Sequence, residues 1–135
     1  MTAAMPAKPH LLLELRAYLV AVAVAAAILT AASYIGEAAF DLNSEVLSIF
    51  LVAVFVVALV AAIPFLILRV VLWKTAATGW LPFTLAGAAS AAPFPVILLM
   101  SDELEAELTL AAILSGAAAG FVHWLQVRHT LGAPA

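Results

Sequence analysis

The chain has 135 residues, 67% of them hydrophobic and only 10% charged, with a mean hydropathy of +1.23. A soluble domain carries roughly a quarter charged residues, so an ordinary water-soluble globule is excluded. The net charge of −3 is small, the five basic residues form no run, and cysteine is absent. Nucleic acid is therefore not an expected partner, and disulfides, thiolate metal sites and cysteine nucleophiles are impossible.

Charged residues divide the chain into four long uncharged segments: 17–36, 46–68, 75–101 and 108–127. About 20 apolar residues in a helix cross the roughly 30 Å of bilayer hydrocarbon. Barrel strands would alternate polar and apolar residues over about 10 positions, and no such alternation is present. The expectation is an all-α integral membrane bundle, one domain over 1–135, with transmembrane helices near 13–36, 45–72, 79–100 and 103–128.

Helix 1 follows Lys8 and Arg16, and Thr30-Ala31-Ala32 has the small-residue character of a signal-peptide cleavage site. With the numbering starting at Met1, a retained span is expected. Gly36 suits its end. Glu14 lies one helical turn before the apolar part, and the expectation there is an interfacial carboxylate in water. The competing reading is a proton- or cation-coupling group, because charges inside a span are costly and usually functional. Tyr18 lies on an alanine-containing stripe with Ala21, Ala25 and Ala32.

Asn43 or Ser44 can cap helix 2. Pro64 lies within this helix and removes the donor for the carbonyl of Val60, so a kink is expected. Gly79 suits the turn into helix 3. In helix 3, Pro93-Phe94-Pro95 leaves the carbonyls of Ala89 and Ala91 without their helical donors, with Ser90 as a nearby hydroxyl. A bent or shortened packing helix is the expectation. A broken helix lining a substrate site, as in transporters, is the alternative. Asp102 and Glu105 have the spacing of a capping box opening helix 4.

Helix 4 is the most asymmetric. At about 100° per residue, Thr109, Ala112, Gly120, His123 and Val127 fall within about 40° of Gly116. Leu110, Leu114, Phe121 and Leu125 lie on the far side. Small residues permit close backbone approach, whereas lipid solvates leucine well. The packing face is therefore assigned to Thr109, Ala112, Gly116, Gly120 and His123, with Gly116-x-x-x-Gly120 as the closest approach and Tyr18 as the expected neighbour of His123. His123 is also the one histidine within a span. It is read as an interfacial hydrogen-bonding residue, with a haem ligand as the alternative.

All five Lys and Arg residues fall on one side of this topology, and seven of the eight acidic residues fall on the other. The positive-inside rule places both termini in the cytoplasm. Trp73, Trp80 and Trp124 at the basic helix ends agree with headgroup-level anchoring. The acidic loop residues Asp102, Glu103, Glu105 and Glu107 lack the ordered spacing of a calcium loop. No phosphate loop, Ser–His–Asp set or paired intramembrane carboxylate is present, so an enzyme is not expected, nor a cofactor of its own.

The stretch from Ala62-Ile63-Pro64-Phe65 through Arg69 to Trp80-Leu81-Pro82-Phe83-Thr84-Leu85-Ala86-Gly87 resembles small bacterial four-helix inner-membrane proteins. So does Gly116-x-x-x-Gly120-Phe121-Val122-His123-Trp124-Leu125. The resemblance covers about the last two-thirds of the chain. It implies a bacterial inner membrane and four helices, and carries no activity with it. Small multidrug-resistance transporters set a glutamate within their first span, and many insert in both orientations. Arg16 beside Glu14 and the one-sided basic bias separate this chain from them, and the bias also separates it from small four-helix fluoride channels. The functional expectation is a non-catalytic accessory or assembly subunit in contact with lipid and with other membrane subunits or copies of itself. A small oligomeric transporter or channel is the alternative, and a haem- or quinone-binding anchor a third.

Overall fold

The structure is a computed structural model that describes residues 10–34, 43–100 and 106–130. These form α1 (Leu11–Ser33), α2 (Ser44–Lys74), α3 (Trp80–Ser90), α4 (Pro93–Met100) and α5 (Ala106–Val127), followed by a 3₁₀ turn at Arg128–Thr130. Four stretches are long and apolar enough to cross a membrane: Leu11–Ala32, Ser44–Lys74, Trp80–Ile97 and Ala106–Thr130. The protein is thus all-helical over the described residues. A continuous helix is the solution expected where no water competes for backbone groups, because it satisfies them internally.

The third span is two helices, not one bent one. α3 stops at Ser90 and α4 begins at Pro93. Prolines 93 and 95 cannot donate, but the carbonyls they would have served are not orphaned. Ala92 N–H donates to Ala89 at 3.1 Å and Phe94 N–H to Ala91 at 3.0 Å, while Ala91 N–H reaches Ala88 at 3.2 Å. Tightened i→i+3 bonds thus carry the chain through the break. The Ser90 hydroxyl is not used for this; it donates to Ala86 within its own helix.

At the start of α2, the Asn43 side chain accepts from Val46 N–H at 3.0 Å, so Asn43 rather than Ser44 is the cap. Gly36 and the Asp102–Glu105 pair lie outside the described residues. At the end of α2, Ala77 N–H bonds to Leu72 and Ala76 N–H to Trp73, a Schellman closure. The left-handed residue it requires is Ala76, at φ 53°. Gly79, expected to serve the turn, is instead the extended N-cap of α3 at φ −76°. An alanine Cβ is strained at positive φ and glycine is not. Ala76→Gly should therefore raise stability by about 0.5 kcal/mol or more, read as a higher midpoint in thermal unfolding in detergent. A lower midpoint would contradict this turn geometry.

α5 is the hub. It packs most closely against α3 and α1, whereas α2 touches α1 and α3 and lies diagonally across the bundle from α5. Alanines make the α1 side: Ala17, Ala21, Ala25 and Ala26 are all buried. The α3–α5 contact is made by glycine. A methyl group added to Gly116 would strike the carbonyl oxygen of Gly87, and one added to Gly120 that of Phe83. The helix that meets the Gly116-x-x-x-Gly120 face is therefore α3, not the Tyr18 stripe of α1. Ala17, Phe83 and Val127 form a small buried cluster at the basic end. The outward residues Leu51, Val52, Phe55, Leu59, Ile63, Leu66 and Ile67 leave α2 largely uncovered by the rest of the chain.

Candidate functional site

Glu14, Arg69 and His123 lie about 5–8 Å inside the basic ends of α1, α2 and α5, counted at 1.5 Å per residue. The antiparallel packing brings them together. Arg69 grips the Glu14 carboxylate as a fork: Nε donates to Oε1 at 3.0 Å and to Oε2 at 3.1 Å, and Nη2 also donates to Oε1. His123 Nε2 lies 3.0 Å from Oε2. A carboxylate that is already ionised can only accept, so Nε2 carries the proton in this bond. The side chains are 14%, 13% and 3% exposed for Glu14, Arg69 and His123.

Glu14 is therefore not the water-exposed interfacial carboxylate read from its position. It is partly buried and doubly engaged, because α2 supplies a guanidinium at its depth and α5 an imidazole. His123 meets Glu14, not Tyr18. The Tyr18 hydroxyl donates instead to the carbonyl of Ala58 on α2 at 2.6 Å, and its ring packs on Phe65 with centroids 4.7 Å apart.

Aromatic rings enclose the cluster. Phe83 stacks on the His123 ring at 6.0 Å and 18°, and Phe65 meets it edge-on at 5.1 Å. The Arg69 guanidinium lies 5.6 Å from the Phe83 centroid, a cation–π contact. Low polarizability around the charges strengthens the pair and also raises the cost of breaking it. With a neutral imidazole the cluster has no net charge.

Against the cluster, between the four spans, lies a cavity of about 100 Å³. Tyr18, Phe65, Phe83 and His123 border it at the basic end, and Leu29, Val56 and Phe94 at the other. The polar side chains at its wall are committed. Ser90 and Ser115 donate to carbonyls of their own helices, Tyr18 to Ala58, and Arg69 to Glu14. His123 Nδ1 is buried without a hydrogen-bond partner.

Of the other residues on the expected packing face of helix 4, Ala112 is buried, Gly116 and Gly120 lie on α3, and Thr109 is half-buried. Ser115 and Val127 are buried as well, and Leu110 and Leu114 are exposed. Arg69 escaped the sequence reading, which used it only as a topology marker. The signal was its depth, which matches that of Glu14 and His123 from the same bundle end.

Chemically, the cluster can hold a charge balance and tie three helices together. An axial-ligand role is poorly served by this geometry, since Nε2 is engaged by Glu14 and Nδ1 is walled in. Among the described residues, no three His, Asp or Glu side chains are grouped to hold a metal ion. No protein-family model, curated protein or solved structure matches the chain.

Proposed function

We propose that this chain is a multi-pass protein of the bacterial inner membrane with both termini in the cytoplasm, acting as a non-catalytic accessory or assembly subunit. The observation that supports this reading is the closure of Glu14, Arg69 and His123 on one another. Charges that line a transport path stay available to solvent or substrate; these are used to fasten α1, α2 and α5. The uncovered apolar face of α2 gives other transmembrane helices a surface to meet.

The test is extraction from native membranes in a mild detergent, followed by identification of proteins in stoichiometric amount. A defined partner or a discrete homo-oligomer supports the proposal. A lone monomer in every detergent overturns it. The orientation is tested separately. Asp41→Cys and Glu103→Cys should react with an impermeant maleimide in intact spheroplasts, and Lys74→Cys should not. Equal labelling at Lys74 would overturn the cytoplasmic assignment.

A small oligomeric transporter is the second reading, favoured by a carboxylate lying within a span. Proton-coupled uptake into proteoliposomes that is abolished by Glu14→Gln would put that reading in place of the first.

A further inference from the structure

We propose that the cavity between the four spans is a binding site for one unbranched acyl chain. The argument rests on shape, lining and charge, and does not depend on the assembly reading above.

The cavity is long and narrow. Along α1 its wall runs from Tyr18 to Leu29 and along α5 from Ala112 to His123, about 16 Å in each helix. Yet its volume is only about 100 Å³, less than the roughly 150 Å³ pocket that admits a benzene ring. So little space drawn out over such a length takes a slim chain and not a ring system. The lining is alanine, glycine, valine, leucine and phenylalanine. Buried water needs two to four polar partners, and the hydroxyls and guanidinium at this wall are already spent. A methylene chain needs none. It would restore the dispersion contacts that the facing side chains otherwise lack.

Charge settles what is recognised. Arg69, the nearest cation, is neutralised by Glu14, so an anionic headgroup gains no counter-charge here. The site reads the tail alone, which a free fatty acid and a phospholipid share.

The test uses palmitic acid carrying a mid-chain diazirine, and a phosphatidylcholine carrying the same chain, each with the full-length protein in lipid nanodiscs. After irradiation, adducts are mapped by peptide mass spectrometry. Adducts are expected at inward residues such as Val60, Ala119 and Phe94, and excess palmitate should compete them away. Outward residues such as Leu59 and Leu114 should be labelled without competition. In Ala61→Leu, which adds bulk at the cavity wall on the loosely packed α2, the inward adducts should fall to background while the outward ones persist; those persisting adducts and an unchanged helical spectrum show that the variant has folded. Labelling by the free acid alone assigns the site to fatty acids, and labelling by both probes assigns it to chains from either source. Inward adducts with neither probe, or inward adducts that excess palmitate does not reduce, overturn the proposal.

Discussion

Glu14→Leu is expected to destabilise the bundle by about 3 kcal/mol, and Arg69→Leu by at least as much. Either change leaves a charge among aromatic rings with its fork of hydrogen bonds gone. The order follows from reach. An unpaired Arg69 has a long stem and can carry its guanidinium toward the headgroups at the basic end. Glu14 is short and cannot. The double variant Glu14→Leu/Arg69→Leu should recover most of the loss, because two apolar side chains replace a pair whose desolvation was costly. The coupling measured by such a cycle, in denaturant titration of the protein in mixed micelles, should be about 2 kcal/mol or more. Two small, additive effects, each below about 0.5 kcal/mol, would mean that the pair behaves as a solvated surface contact. His123→Phe removes only one bond to the carboxylate and keeps a flat ring between Phe65 and Phe83. Its cost should be nearer 1 kcal/mol.

The spans were legible because the signal is coarse. A charge every twenty-odd residues and apolar runs of helix length need no knowledge of packing. The ends were less so, since Leu11–Ser33 and Ser44–Lys74 each reach further into charged territory than a hydrophobic run suggests. Glu14 and Arg69 marked helix boundaries when each was read alone, but lie inside helices once they neutralise each other. That pairing spans 55 residues of sequence, and nothing local announces it. The two prolines of the third span pointed to a perturbed helix. Whether it bends or breaks depended on backbone bonds at Ala89 and Ala91, which composition does not encode.

The same distinction applies to α5. Rotation at 100° per residue separates Gly116 and Ala112 from Leu110 and Leu114, and burial in the structure divides these residues in the same way. Periodicity says which face is small, however, not which helix meets it. Two helices offered small residues: α1 with its alanines and α3 with Gly87. The glycine helix takes the closest approach because a carbonyl oxygen can rest where a methyl group would otherwise be. Tyr18 was placed at nearly the right depth for His123, but its hydroxyl found the Ala58 carbonyl, and the acid one turn earlier took the imidazole.

That glycine contact sets the remaining large effect. Gly116→Ala and Gly87→Ala are expected to lower stability by about 3 kcal/mol, above the usual range for one added methyl in a core. The opposing term is helix propensity, which favours alanine over glycine by at most about 1 kcal/mol. Steric conflict wins because the neighbour is backbone. A Cβ on Gly87 would strike the carbonyl oxygen of Gly116 and lie 2.7 Å from the Cα of Gly120, and no rotamer change relieves that. α3 and α5 would have to separate, giving up dispersion contacts along their length. Gly116→Leu and Gly120→Leu should go further and dissociate the α3–α5 pair in mild detergent. Two controls isolate the cause. At Gly79 an added Cβ meets only Pro82 Cδ, at an ordinary 3.6 Å, so Gly79→Ala should be nearly neutral. Leu114 is 56% exposed on the face turned from the bundle, so Leu114→Ala should cost well under 1 kcal/mol in a lipid-like environment. Thermal midpoints of the five variants in one detergent decide the matter: if Leu114→Ala or Gly79→Ala falls as far as Gly116→Ala, α3 and α5 do not meet at these glycines.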